Sequence, residues 1–392
     1  MASDGYLGMS IQNIRGLVVF DIGAPVFLEN RIFDLEHARR YPGAEAGARL
    51  AENLRKREVE SVTADIYLAD MEFEGPIALL TSESTPFTER LLQDPRILPV
   101  ACLSLESPIV DRSFYRSIRS ISERFDHVFL YPGTRARATG GATFHDISWP
   151  YPNLGSVEQG RPWPERGFLT MISSNKRVYA WPSPMFGLRH PRSFIRRLLT
   201  KAETVILRYS DSWFRTELYV DRMRAIEHFS ACRDFDLYGR GWSSNEYIRS
   251  PQQSRAVRKA YRGEIDPLEK LDVLSEYKFS LCYENTSFPG YITEKIFDCF
   301  AAGSIPVYLG APDVAESIPP ECFIDAREFE NMRSLERFLR SMSAETAEQY
   351  LEAATAFVRS PQAARFSQER FVEVLTSTLL ECLHCGTSPA RV

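Results

Sequence analysis

No apolar run in this sequence is long enough to cross a bilayer, which takes about 20 consecutive apolar residues. The opening MASDGYLGMS has neither the basic nor the apolar region of a secretory leader. There is no basic excess either. The formal net charge is −5, which argues against a general nucleic-acid binder. Seven cysteines, an odd number scattered over a long chain, do not form a disulfide framework and point to a reduced, cytoplasmic setting. GxxxxGK[ST] is missing, as is GxGxxG after a strand, so ATPase and dinucleotide-dependent chemistry lose their usual phosphate cradle. His127, His145, His190 and His228 show no metal-ligand spacing. Internal repeats and low-complexity tracts are absent as well.

What is present is an ordinary globular balance, 44% hydrophobic and 25% charged. At 392 residues the chain suits about two domains. Short apolar runs read as strands at 16–20, 64–70, 76–82, 97–105 and 127–132, the fourth nearly all apolar and so central. Helical periodicity covers 46–60 and 112–125. Residues 133–166 are rich in Gly, Pro and polar side chains and read as a linker. Alternation resumes with strands at 168–174 and 234–239, helices at 217–230 and 266–277, and two late helices at about 346–359 and 364–383. This pattern predicts two α/β domains with mainly parallel sheets. Ligands of such folds bind at the carboxyl ends of the strands, and here that would also be the cleft between domains. The expected division is 1–160, 161–350 and a C-terminal helical segment, 351–392, packing back on the domains.

The most informative stretch is YENTSFPGYITEKIFDCFAAGSIPVYLG, residues 283–310. It places a polar knot between two strand-like apolar runs. Thr293 reads as an N-cap, Ile296, Phe297, Phe300 and Ala301 recur at helical spacing, and Gly303 is placed to end the helix. Glu294 and Lys295 then occupy the first turn, where backbone N–H groups and the helix dipole favour an anion. A lysine is locally unfavourable there unless an anion such as a phosphate lies between it and the helix end. A solvent-facing lysine is the commoner alternative, which the surrounding Tyr-Glu-Asn and Tyr-Ile-Thr-Glu disfavour.

Residues 277–310 resemble the signature of the α1,3/α1,4-fucosyltransferases, glycosyltransferase family 10, which runs Y-K-F-x-L-x-F-E-N-S, a spacer, D-Y-x-T-E-K and A-G-x-x-P-V-x-x-G. The departures are Tyr283 for Phe, Thr286 for Ser and Gly290 for Asp. RMRAIEHFSACRDFDLYGRGW (222–242) and FLTMISSNK (168–176) resemble further donor-domain segments, and LSLESP (103–108) the acceptor-domain L-E-S-P. The rest of the first 160 residues matches nothing in the family pattern.

The resemblance implies a GT-B fold: α/β, two facing Rossmann-like domains with mainly parallel sheets and C-terminal helices, acceptor side first and GDP-fucose held by the second. It implies that Arg222 and Lys295 contact the donor diphosphate, Glu294 the ribose, Asn285 and Tyr291 the donor pocket, and that Glu106 is the general base. The implied activity is inverting transfer of L-fucose from GDP-β-L-fucose to a glycan hydroxyl, through an α1,3 or α1,4 bond. The setting would be a bacterial cytoplasm or a membrane periphery, with no nucleic acid, no transmembrane segment and no required cofactor, a divalent metal being at most stimulatory. Alternatives are a transferase using another nucleotide sugar and a non-catalytic nucleotide-sugar-binding protein.

Weaker signals have plainer explanations. Asp234-Phe235-Asp236 matches the D-x-D of metal-dependent sugar transferases, but its register before Tyr-Gly favours a structural role. Cys382 and Cys385 form a single C-x-x-C, too little for zinc. Arg255, Arg258, Lys259 and Arg262 could approach an anion, although a solvated face is commoner. The C-terminal FSQERFVEVLTSTLLECL reads as a packing helix rather than a membrane-surface one, because its charges are mixed.

Overall fold

The computed structural model describes residues 14–69, 71–82, 85, 87–137, 141–157, 161–175, 216–243 and 250–385. The N-terminal decapeptide, Lys176 and His190 lie outside the described residues. The chain divides into two compact units. One comprises the described residues of 1–106, 111–152 and 365–392, the other those of 107–110 and 153–364. The divisions thus fall at 152 and 365, against the expected 160 and 350.

In the first unit the strands are β1 (Gly16–Asp21), β2 (Val59–Thr63), β3 (Ile77–Thr81), β4 (Ile97–Leu103), β5 (His127–Leu130) and β6 (Thr143–Asp146). They form one sheet in the order β2-β1-β3-β4-β5-β6, every pair parallel. Parallel strands are buried on both faces, which is why β1, β3 and most of β4 are continuous apolar runs. The last helix, Gln368–Cys385, packs against helix Glu45–Arg55 and against β3 and β4.

Two expectations fail here for physical reasons. The strand expected at 64–70 is not found in its described part, 64–69. Ala64–Leu68 is a helix that buries Ala64 and Tyr67, three apart, and leaves Ile66 exposed. The strand is the preceding VESVT, β2, taken from the end of the expected helix. That helix stops at Arg55, and Glu58 at φ 63° turns the chain out of it. The linker also contains β6, which pairs with β5 at the sheet edge. Its half-solvated TFHD has no apolar pattern to betray it.

The second unit contains β7 (Gly167–Ile172), β8 (Phe235–Tyr238), β9 (Tyr261–Gly263), β10 (Tyr277–Tyr283), β11 (Ile305–Leu309) and β12 (Ile324–Asp325), ordered β12-β11-β10-β7-β8-β9 and all parallel. The chain builds β7, β8 and β9 outward, then returns to add β10, β11 and β12 on the other side of β7. This is the doubly wound Rossmann order. Its reversal between β7 and β10 opens a crevice at their carboxyl ends, where ligands of such sheets bind. Leu169, Met171, Phe235, Leu237, Phe279, Leu281, Ile305 and Val307 form the sheet side of its core, and Met223, Ile226 and Phe229 come from helix Tyr219–Phe229.

Helix Glu294–Ala301 follows β10 and is ended by Gly303 at φ 64°. Ser304 N–H donates to Cys299 O at 2.9 Å and Gly303 N–H to Phe300 O at 3.2 Å, a Schellman closure that a side chain at 303 would strain. Gly310, just past β11, has a different reason to be glycine. A Cβ there would fall on Tyr308 Oη and 2.6 Å from Glu284 Cγ.

Gly310→Ala is therefore expected to destabilise the fold by about 1–3 kcal/mol, the usual cost of overpacking. Gly141→Ala, whose added Cβ meets nothing within 4 Å, serves as the control and should leave the urea midpoint almost unchanged. Equal midpoints for the two variants would refute the close-approach argument.

Candidate functional site

Tyr283 ends β10 at the centre of the sheet, and Glu284 follows it with no exposed surface. A carboxylate buried so completely needs partners. One oxygen accepts from Thr293 N–H at 2.8 Å and from Thr293 Oγ1 at 2.9 Å. The other accepts from Thr293 Oγ1 at 2.9 Å and from Lys295 Nζ at 2.9 Å. Lys295 Nζ also donates to Thr293 Oγ1 at 2.8 Å and lies 3.5 Å from Glu294. Thr293 occupies the N-cap position as expected, but its side chain makes no capping bond to the helix.

A second branch starts at Arg222 on helix Tyr219–Phe229. This guanidinium is 3% exposed and lies 5.0 Å from the Tyr219 ring. Its Nε and Nη2 both donate to Tyr283 O, at 3.1 and 2.6 Å, and Nη2 donates to Asn285 Oδ1 at 3.0 Å. Asn285 Nδ2 in turn donates to the Tyr291 hydroxyl at 3.3 Å. Behind the helix start, Lys270 pairs with Asp298 and lies 3.9 Å from Glu294.

The electrostatics follow from this layout. Lys270 and Lys295 are matched by Glu284, Glu294 and Asp298. Arg222 forms no ion pair among the described residues, so it completes the balance without being neutralised by contact. Burial lowers the Arg222 pKa, and Tyr219, followed by carboxylates farther off, opposes that. For Lys295, burial favours the neutral amine, but Glu284 and Glu294 outweigh it and raise the pKa. Burial likewise works against the Glu294 carboxylate, but Lys295 and Lys270 outweigh it and hold the group at about 2. That lies below the ordinary 4.5, so this contribution to stability is complete above that pH and is lost as the pH falls towards 2.

Of the residues singled out from sequence, Arg222, Asn285, Tyr291, Glu294 and Lys295 are thus brought together at one strand end. Glu106 belongs to the other unit. It lies three residues beyond β4, in a turn where Tyr115 Oη donates to its carbonyl at 2.8 Å and its N–H reaches Ser104 Oγ at 3.4 Å. Helix Arg112–Arg124 is capped by Asp111, not by Glu106. Sequence reasoning missed Glu284, Lys270 and Asp298. A carboxylate directly after a buried strand was the available signal for Glu284. Nothing local marked the other two.

The weaker candidates resolve into structural contacts. Asp234 pairs with Arg340 at 2.9 Å, and Asp236 with Arg262 at 2.6 Å while accepting from the Tyr277 hydroxyl at 2.7 Å. Lys259 donates to Ala231 O and Arg258 to Ser254 Oγ, both at 2.8 Å. Cys382 is buried 3.7 Å from His127, and Cys385 is exposed. Among the described residues no group of three His, Cys, Asp or Glu could hold a metal ion, and no helix is long and apolar enough to cross a membrane.

Two parallel Rossmann-like sheets in one chain, the second with a helix start at its switch point, are the components of the GT-B fold. An α-glucosyltransferase solved with UDP and a 13-mer DNA has this fold at a TM-score of 0.50 and 12% identity, over 94% of this chain and all of that one. Residues 199–370 match the profile of glycosyltransferase family 10 (fucosyltransferase), C-terminal part. The α-(1,3)-fucosyltransferase FucT of Helicobacter pylori is 47% identical over 62 residues, 16% of this chain and 13% of that protein. The 4-galactosyl-N-acetylglucosaminide 3-α-L-fucosyltransferase FUT6 of Gorilla gorilla gorilla is 35% identical over 172 residues, 43% of this chain and 41% of that protein. The matched stretches therefore span less than half the length of these relatives.

Lys270→Met should leave Asp298 and Glu294 without their common cation. Because all three are partly accessible, the expected loss lies at the lower end of the ~3–5 kcal/mol typical of a broken buried pair. Urea unfolding reads it, and adding Asp298→Asn should recover part of the loss. An unchanged midpoint in Lys270→Met would contradict the pairing.

Proposed function

We propose that this chain is an inverting fucosyltransferase, moving L-fucose from GDP-β-L-fucose to a hydroxyl of a glycan acceptor in an α1,3 or α1,4 linkage. The observation that carries this is the array at the β10 carboxyl end, where Arg222, Asn285 and Tyr291 form one hydrogen-bonded group and Lys295 and Glu294 belong to another, the two meeting at the consecutive residues Tyr283 and Glu284. The fucosyltransferase relatives support the sugar, and the first of them supports a bacterial enzyme. Seven free cysteines are consistent with a cytoplasmic setting.

Cleaving the fucosyl bond releases GDP, and negative charge grows on its diphosphate. In this reading Arg222, Lys295 and the N-terminus of helix Glu294–Ala301 stabilise that charge, and they lose most of their solvent competition because they are buried. Glu294, held ionised, accepts from the ribose hydroxyls. Asn285 and Tyr291 line the donor pocket and fix the Arg222 fork. The sugar becomes oxocarbenium-like, and Glu106 removes the acceptor hydroxyl proton in a single displacement. No metal is required, because fixed cations do the work of one. The pairing of Asp234 and Asp236 with arginines supports that.

A ligand that binds only the native state raises its stability. GDP and GDP-fucose are therefore expected to raise the melting temperature clearly, and UDP and CMP much less. Best stabilisation by UDP would favour a different nucleotide sugar, and binding without transfer or donor hydrolysis would favour the non-catalytic alternative.

Turnover should then separate the roles. Lys295→Ala and Arg222→Ala are each expected to lower kcat strongly, and Arg222→Lys to recover only part, since a point charge cannot replace a fork. Glu106→Gln should keep GDP binding and lose at least ~100-fold in transfer. A substantial wild-type rate should persist in EDTA. Wild-type transfer by folded Glu106→Gln would move the base elsewhere, and complete loss in EDTA restored by manganese would return Asp234 and Asp236 to the chemistry.

A further inference from the structure

No donor contact is assigned to Glu284, yet it is the most thoroughly buried charge of the site. Its stem is fixed on both sides. Glu284 N–H donates to Leu309 O at 2.8 Å, and its Cγ lies where only a glycine at 310 leaves room. Its carboxylate takes two donors from Thr293 and one from Lys295, all at 2.8–2.9 Å. An N-cap threonine ordinarily turns its oxygen back to the N–H groups of its own helix. Thr293 does not, because its hydroxyl is held by Glu284.

We infer that Glu284 is the positioning residue of this site: it anchors the Lys295 ammonium and draws the Thr293 hydroxyl off the helix start, leaving the first-turn N–H groups without a side-chain cap for the donor's diphosphate. The inference rests on the donor-site reading above and adds the residue that sets its geometry. It also answers why a lysine is tolerated in a first helical turn, against the dipole: the opposing charge is built into the end of β10.

The arrangement governs protonation as well as position. Lys295 faces Glu284 from the end of β10, Glu294 from its own helix and Arg222 from helix Tyr219–Phe229. The two carboxylates favour its proton, while burial and Arg222 oppose it. Removing the charge of Glu284 leaves Glu294 alone on the favourable side, so the Lys295 pKa must fall.

The test is the pH dependence of kcat/KM with GDP-fucose for the full chain and for Glu284→Gln, with folding checked by circular dichroism. The expected result is a loss of at least ~10-fold at pH 7, within the range for a displaced catalytic group. The alkaline limb should also move to lower pH by about one unit or more, the scale of one neighbouring charge. A purely structural residue would change the level but not the limb. If Glu284→Gln does not fold, Thr293→Val decides, since it leaves the carboxylate in place. It should lose activity comparably, and Thr293→Ser should regain most of it. A wild-type profile in folded Glu284→Gln, or a wild-type rate in Thr293→Val, overturns the inference alone. No fucosyl transfer by the unmodified chain overturns it together with the donor reading.

Discussion

One buried carboxylate organises the second unit. Glu284 sits at the end of the central strand with every route to water closed, and an unpaired charge there would cost several kcal/mol. Each of its neighbours can be understood as meeting that requirement. Thr293 gives up its cap, Lys295 turns inward rather than to solvent, and Gly310 stays without a side chain so that the carboxylate stem fits. The result is a helix start whose side chains are committed to one another and whose first-turn N–H groups carry no side-chain cap. A buried pair of this kind is weak evidence for stability. Its value here is geometric, because it fixes where the Lys295 ammonium lies relative to a helix end.

The sheet explains why this happens at one place. The order β12-β11-β10-β7-β8-β9 makes β10 the strand added after the chain reverses, so its carboxyl end borders the crevice of the switch point. Helix Tyr219–Phe229 carries Arg222 to the same end, and the carbonyl of Tyr283 receives it. Other charges of this unit do something different. Asp234 and Asp236 tie β8 to Arg340 and Arg262, and these partly exposed pairs contribute only about 0–1 kcal/mol each. The difference between a site and a strap is burial: the same ion-pair chemistry is strong and directional at Glu284 and screened at Asp234.

Much was legible in the sequence because it was local or periodic. The apolar runs of β1, β3, β4, β10 and β11 announce parallel strands, and Gly303 announces the end of a helix. The knot declared itself by packing unlike functional groups around a helix start, and the family resemblance attached roles to four of its residues, to Arg222 and to Glu106. What was illegible had no local signature. TFHD becomes a strand only because β5 offers it an edge, and ADIYL becomes a helix only because VESVT has already taken the strand position beside β1.

The sequence by itself determined the class of fold, the strand and helix that make the helix-start site, and the residue types gathered there, because spacing along a chain is enough to specify these. Only the tertiary structure decided which charge answers which. Lys295 is spoken for by Glu284, Glu294 is shared between Lys295 and Lys270, and Arg222 lies on a carbonyl and an amide with no carboxylate in contact. Those partners come from β10, from helix Lys270–Ser275 and from helix Tyr219–Phe229, segments up to some seventy residues apart. Coulomb energy depends on distance in space and on exclusion of water, and neither is written in the order of the residues.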